Sequence, residues 1–301
     1  MDAVAVTVRV PATSANLGAG FDSLGLALDL FAEITVTFSE EELPPTEDVG
    51  EKMVLTAVRS AYARMGKTPP AGMQARYTVS IPLGRGLGAS AVARVAGVLA
   101  ANEKEGHPLD PEACMVVASD LEGHGDNACP ALFGGLQVCV EREGEYVRAP
   151  VRVPNNIHVV VLIPDSSMST RDARKVLPDS YSRTDAVFNI GRAALFVAAM
   201  ASGKLEALDE ATQDRLHQPY RAQIFPPLTD IFNAAKQSGA YAVWLSGAGS
   251  SIAAVTTDET ARDVATAMLE TLKAADMGGR TIITRVAPHG AEIAKVELIS
   301  L

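Results

Sequence analysis

The most polar cluster in the chain lies in LEGHGDNACPALFGGL, Leu121 to Leu136, where Glu122, His124, Asp126 and Asn127 fall within six residues. Carboxylate, imidazole and carboxamide groups this close suit proton and metal chemistry, although Gly, Asp and Asn also build ordinary turns between a helix and a strand. Zinc is a poor fit, since one histidine with two carboxylates lacks helical ligand spacing and no further ligand is evident. A second chemical stretch precedes it. SIPLGRGLGASAVARVAGVLAAN, Ser80 to Asn102, sets Gly84, Gly86 and Gly88 between a β-type run, Tyr77 to Ile81, and an Ala/Val-rich helical pattern. Glycines let the backbone pass close to phosphate oxygens, and the unpaired amides and dipole of a helix start attract anions. Ser90 adds a hydroxyl that could cap that helix or sit on a phosphate-bound metal ion.

Three readings of the loop compete on the residues alone. A Walker A loop would need Gly-Lys-Ser/Thr, and no lysine occurs between Lys67 and Lys104. GLGASA, Gly86 to Ala91, formally fits a dinucleotide fingerprint, but Glu103 and Glu105 trail into a turn instead of ending a second strand. A glycine turn without ligand is the bland alternative.

The elements that must position these groups follow from periodicity. Val4, Val6, Val8 and Val10 alternate as a half-buried strand, Pro11 opens a loop carrying Thr13, Ser14, Asn16 and Asp22, and Glu33 to Phe38 is a second strand. Lys52 to Met65 is helical with Gly66 as its stop, and Pro111 to Asp120 is another helix. Strand Ile157 to Ile163 leads to a short helix on which Thr170 and Arg174 share a face. Arg171, Arg174 and Lys175 also read as its solvated side. A long helix, Thr184 to Met200, and shorter ones over Lys204 to Leu208 and Thr212 to Leu216 feed HQPYRAQIFPPL, where Arg221 by itself is a surface arginine. Strand Ala240 to Leu245, a second glycine turn (SGAGSS), helix Glu259 to Ala274 and strands Thr281 to Val286 and Ala294 to Ile299 make the second half β-α-β-rich and ferredoxin-like. The pattern shifts near residue 155, giving two domains, 1–155 and 156–301, with a cleft between them as the default site.

The 301 residues, 48% hydrophobic, suffice for a substantial core. A net charge of −10 without a basic cluster disfavours nucleic acid and anionic membranes. No uninterrupted apolar span and no secretory pattern is present, so the expectation is a cytoplasmic protein. Cys114, Cys129 and Cys139 stand singly and read as buried hydrophobes.

PLGRGLGASAVA resembles the P-x-x-x-G-L-G-S-S-A-A phosphate loop of the GHMP kinases, with Ala89 departing from the first serine and Ser90 keeping the second. VPATSANLGAGFDSLGLALDL, the segment EGHGDN, STRDAR and HQPYR resemble motifs of the homoserine kinase branch, in the family's order and across essentially the whole chain. The resemblance implies an α+β fold of two domains, a ribosomal-protein-S5-like β/α domain followed by a ferredoxin-like one. It also implies ATP-dependent phosphorylation of L-homoserine in threonine biosynthesis. Another GHMP alcohol kinase, of the mevalonate type, and a non-catalytic ATP-binding regulator are the alternatives. By the same resemblance Pro82, Leu83, Gly84, Arg85, Gly86, Leu87, Gly88, Ala89, Ser90 and Ala91 bind ATP. Ser90 and Glu122 hold Mg²⁺, and His124, Asp126 and Asn127 line the acceptor pocket. Thr170, Arg174 and Arg221 meet the amino acid, Arg174 and Arg221 at its carboxylate, and Asn16 and Asp22 receive its ammonium. Asp126 is the nearest candidate base. Oligomeric state stays open, a homodimer being one option.

Overall fold

The computed structural model describes residues 2–300. In chain order its strands are β1 (Asp2–Ala15), β2 (Leu24–Ser39), β3 (Gly72–Val79), β4 (Leu136–Arg142), β5 (Glu145–Val151), β6 (His158–Pro164), β7 (Ala242–Leu245), β8 (Ile252–Thr256), β9 (Gly279–Thr284) and β10 (Glu292–Ser300). The α-helices are α1 (Val49–Met65), α2 (Ala89–Lys104), α3 (Pro111–Glu122), α4 (Ala128–Phe133), α5 (Thr170–Lys175), α6 (Arg183–Ser202), α7 (Leu208–Ala211), α8 (Gln218–Arg221), α9 (Leu228–Gln237) and α10 (Ala261–Ala274).

Local chemistry explains most boundaries. Asp48 accepts the Glu51 amide and starts α1 ahead of the expected Lys52, and Gly66 ends it in a left-handed turn. Asp110 caps α3 with Pro111 in its first turn. Strand β1 runs on through Pro11, so Thr13 and Ser14 lie in the strand and not in the expected loop. The pairing with β2 slips between Pro11 and Thr13, where a missing proline N–H is best tolerated. The helix expected over Thr212 to Leu216 does not form, because the Asp214 carboxylate accepts the amides of Leu216, His217 and Gln218 and folds the segment into a turn.

The first sheet has the order β10-β1-β2-β4-β5, with β3 beside β2, and α1 to α3 pack their apolar faces into its core. The last strand pairs antiparallel with β1 and so sits in the first sheet, whereas the sequence reading assigned it to the second half. Four antiparallel strands in the order β7-β8-β6-β9 form the second sheet, the ferredoxin-like arrangement.

Strands β6, β7 and β8 of that sheet are buried on both faces, which is why β6 reads as a continuous apolar run, while the edge strand β9 is only half-buried. Val160 and Leu162 face α9 and α10, whereas Val159 and Val161 join a second core with Leu17, Leu24, Leu26 and Leu28 of the first half and Phe196, Trp244 and Val255 of the second. This junction core fixes the two halves against each other, and the cleft above it is thereby preformed. Helix α6 is long and apolar enough by composition to cross a membrane. Here it is tied to the junction by Phe196 and Met200 and by Asn189, which donates to Asp214 at 2.7 Å.

Candidate active site

A cavity of about 530 Å³ opens between the halves. Its floor is the glycine loop. Gly84, Gly86 and Gly88 all have positive φ (67°, 75° and 67°). A Cβ on Gly86 would stand 2.1 Å from the Ser246 carbonyl oxygen, and one on Gly88 would stand 1.9 Å from Thr13 Oγ1. These glycines are therefore required by protein packing as well as by any phosphate. The second glycine turn clasps the loop: Ser246 Oγ donates to the Gly86 carbonyl at 2.6 Å and the Ser251 amide to the Arg85 carbonyl at 3.0 Å. Behind it runs a buried relay in which Trp244 Nε1 donates to Ser14 Oγ (2.9 Å) and Ser14 contacts Ser246 Oγ (2.7 Å).

Of the ten loop residues expected at a nucleotide, Leu83, Gly84, Gly86, Gly88, Ala89 and Ser90 line the cavity. Pro82, Arg85, Leu87 and Ala91 do not. Leu87 is turned into the junction core, Ala91 is buried on α2, and Pro82 borders a neighbouring hollow with Asp48 and Tyr77.

On one wall stands the polar cluster, carried by the end of α3 and the turn into α4. Glu122 Oε2 accepts from Ser90 Oγ at 3.0 Å, and its other oxygen is ion-paired with Arg94. Burial pushes the Glu122 carboxyl above its usual range, against the opposing pull of Arg94 and Ser90. Asp126 is almost wholly buried, and its Oδ1 meets His124 Nδ1 at 2.5 Å and Asn127 Nδ2 at 3.2 Å. Burial works against the His124 cation, but the bond and charge of Asp126, with Asp22 and Glu122 behind, raise its pKa. Asn127 Oδ1 accepts from Thr13 Oγ1 at 2.7 Å, so the amide is fixed in orientation.

Opposite lies the loop after β1, in which Asn16, Leu17 and Asp22 adopt positive φ. Asn16 donates to the Gly247 carbonyl and accepts the Asp22 amide, which turns the Asp22 carboxylate toward α5. There Arg174 grips it with two bonds of 2.8 and 3.0 Å. Asp22 is thus paired with Arg174, where the sequence reading reserved the two for opposite ends of a ligand. Donor atoms of Asp22, His124 and Asp126 all lie within 4.8 Å of one another.

Arg221 is the largest departure from expectation. It is 2% exposed, not a surface residue. Its guanidinium donates to the carbonyls of Gly247 (2.9 Å) and Ala173 (3.3 Å) and to His217 Nδ1 (3.0 Å). All are neutral acceptors, and no carboxylate reaches ion-pair distance among the described residues. Burial first and the Arg174 charge second push it down to about 10, which leaves it a cation at neutral pH. His217, fully buried and stacked on Phe21 at 5.1 Å, bonds through Nε2 to the Gly18 carbonyl at 2.8 Å. Complete burial pushes its imidazole down to about 4, with Asp214 opposing and Arg221 adding to the fall. Since His217 Nδ1 accepts from Arg221, the neutral ring carries its proton on Nε2.

All of Asn16, Asp22, Ser90, Glu122, His124, Asp126, Asn127, Thr170, Arg174 and Arg221 border the one cavity. Sequence reasoning missed Arg94, Thr13 and His217, and also Val49 and Met53, which form an apolar end of the cavity with the expected Leu83. Arg94 had one available signal: it follows Ser90 by four residues on a helix, hence on the same face.

A glycine loop at a helix start beside a carboxylate-rich wall, in a cleft between two packed domains, is the arrangement of a phosphate-transferring enzyme. Residues 52–135 match the family described as GHMP kinases N terminal domain, and residues 196–274 match GHMP kinases C terminal. The chain belongs to the GHMP kinase family, which implies the use of ATP. Within it the similar relatives are homoserine kinases. That of Moorella thermoacetica is 43% identical over 256 residues, covering 82% of this chain and 86% of the relative. That of Synechococcus sp. is 38% identical over 299 residues, covering 96% and 97%. The crystal structure of homoserine kinase from Cytophaga hutchinsonii superposes with a TM-score of 0.86 at 28% identity, covering 96% of this chain and 97% of that one.

Proposed function

We propose that the cavity binds Mg²⁺·ATP and L-homoserine side by side and transfers the γ-phosphoryl group to the homoserine hydroxyl, giving O-phospho-L-homoserine and ADP. The observation that carries the amino-acid half is Arg221, a buried cation bordering the cavity with only neutral partners. A substrate carboxylate would complete it with a charge-assisted bond. Arg174 would add a second contact and Thr170 a hydroxyl, while Asp22, turned by Asn16, would take the ammonium that Arg174 now replaces. Mevalonate has a carboxylate and a hydroxyl but no ammonium, so it would leave that carboxylate unsatisfied.

For the nucleotide, the glycine loop and the first amides of α2 suit the phosphates, and the exposed Val49 and Leu83 with the half-buried Met53 suit an apolar base. Ser90 and Glu122 offer two oxygens 3.0 Å apart, a donor set that fits a hard cation such as Mg²⁺. Bound there, the ion would neutralise phosphate charge.

Transfer through a loose transition state depends on alignment more than on a strong base. Asn127, fixed by Thr13 and Asp126, retains an N–H and a lone pair for the acceptor hydroxyl. Asp126 Oδ2 is free to receive the departing proton, and His124 holds Asp126 in place. Independence of nucleic acid and anionic membranes is read from the net charge of −10 without a basic cluster.

The test is an ADP-release assay with homoserine, mevalonate and galactose at equal concentration. Homoserine-dependent turnover should exceed the others by at least about 100-fold. Equal rates, or none with homoserine, would remove this reading.

A further inference from the structure

Glu122 is the last residue of α3, so its carboxylate, on a side chain only 9% exposed, sits at the negative end of a helix dipole. A charge in such a place needs compensation. Ser90, from the first turn of α2, supplies one hydrogen bond, and Arg94, one turn further along the same helix, supplies a full positive charge to the other oxygen. The remaining carboxylates bordering the cavity are already engaged, Asp22 by Arg174 and Asp126 by His124. Ser90 thus holds one oxygen of Glu122 by a hydrogen bond and the Arg94 guanidinium stands against the other as an ion pair, both groups coming from the phosphate-loop helix. A divalent ion on this carboxylate would bring two further positive charges beside the guanidinium, and the two cations would repel at contact distance. The Arg94 side chain borders the cavity on a long flexible stem, and nucleotide phosphate would offer it a new anion.

We propose that Arg94 is the resident counter-ion of Glu122: it occupies the place of the divalent cation in the metal-free protein and releases the carboxylate to the metal when nucleotide arrives. The proposal rests on the assignment of Ser90 and Glu122 to Mg²⁺. Its consequence is that the empty enzyme has little use for free Mg²⁺, because the seat is taken, whereas metal accompanied by phosphates meets both an available carboxylate and a new partner for Arg94.

Thermal melting of the nucleotide-free protein with and without millimolar Mg²⁺ tests this independently of turnover. Wild type should shift by less than about 1 °C on adding Mg²⁺ alone. Arg94→Met should melt about 5 °C or more below wild type, and Mg²⁺ alone should recover at least about half of that loss by mass action. In Arg94→Met/Glu122→Gln the buried charge is gone, so stability should return without metal and Mg²⁺ should do nothing. Arg94→Lys, which keeps the charge, should melt close to wild type. An Arg94→Met protein that melts like wild type, or whose loss responds neither to Mg²⁺ nor to Glu122→Gln, would overturn the proposal. So would failure of both Arg94→Met and the double variant to fold, which would make Arg94 a packing residue. Titration of ADP with and without Mg²⁺ separates the two layers. If Glu122→Gln keeps the wild-type Mg²⁺ dependence, the metal assignment itself fails and takes the proposal with it. If Glu122→Gln loses that dependence while Arg94→Met gains no response to Mg²⁺ alone, only the role of Arg94 fails.

Discussion

Single side chains divide the work of the cavity unequally, and the two arginines at the amino-acid end show why. Arg221 has only neutral partners, whereas Arg174 is already satisfied by Asp22. On the proposed binding mode homoserine would part the Arg174–Asp22 pair, so the new bonds at Arg174 would be partly offset by the old ones lost. Arg221→Met should therefore raise the homoserine KM about 30-fold or more, equivalent to about 2 kcal/mol, and Arg174→Met should raise it by less. Steady-state kinetics decide the order, with the ATP KM nearly constant in both. An Arg174→Met effect equal to or above that of Arg221→Met would refute this account. His217 gives a second residue-scale expectation. Its folded pKa of about 4 lies below the 6.5 of an unperturbed imidazole, so its contribution to stability is fully present above pH 6.5. As pH falls toward 4, the unfolded chain takes up a proton that the folded protein refuses, and about 3 kcal/mol is lost. His217→Gln should flatten that acid slope in chemical denaturation measured at several pH values. An unchanged slope would place the loss elsewhere.

Among the elements, the start of α2 carries the tightest constraint. Gly88 caps the helix in a left-handed conformation with Thr13 Oγ1 where a Cβ would go, and Thr13 in turn holds Asn127. Gly88→Ala should cost more than the roughly 1 kcal/mol usual for an unfavourable backbone, because strand β1 must also move. Adding Thr13→Ala should recover part of the melting temperature without restoring kcat, since Asn127 then loses its anchor. Identical melting of single and double variants would show that the contact is not the source. The second glycine turn matters for the same reason: Ser246 and Ser251 hold the loop by backbone oxygens, so the loop's shape depends on β7 and β8 as much as on its own glycines.

At the scale of the whole molecule, the two halves share one core and one strand. Leu24, Leu26 and Leu28 pack with Val159, Val161 and Trp244, and β10 closes the first sheet after the second is complete. The halves should therefore unfold together. Fluorescence of Trp244, the sole tryptophan, and far-UV circular dichroism should give one coincident transition. Trp244→Ala should cost about 3 to 5 kcal/mol and loosen the phosphate loop through Ser14 and Ser246. Truncation after residue 290 should unfold the first sheet despite its distance along the chain. Two separated transitions, or a truncated protein with a native spectrum, would argue for independent halves.

The sequence by itself determines whatever depends on near neighbours. Glycines that need positive φ, caps such as Asp48 and Asp110, the apolar periodicity of α1 and β6, and the crowding of Glu122 to Asn127 are all properties of a few consecutive residues. They make the glycine loop, the ferredoxin-like second sheet and most residues that border the cavity legible. Tertiary structure decides what depends on partners far along the chain. Arg221 is buried because Ala173, His217 and Gly247 surround it, Gly88 is indispensable because Thr13 stands over it, and β10 belongs to the first sheet because β1 offers an unpaired edge. Spacing along the chain carries no record of such encounters, since a buried cation and a solvated one are the same letter until the fold supplies its neighbours.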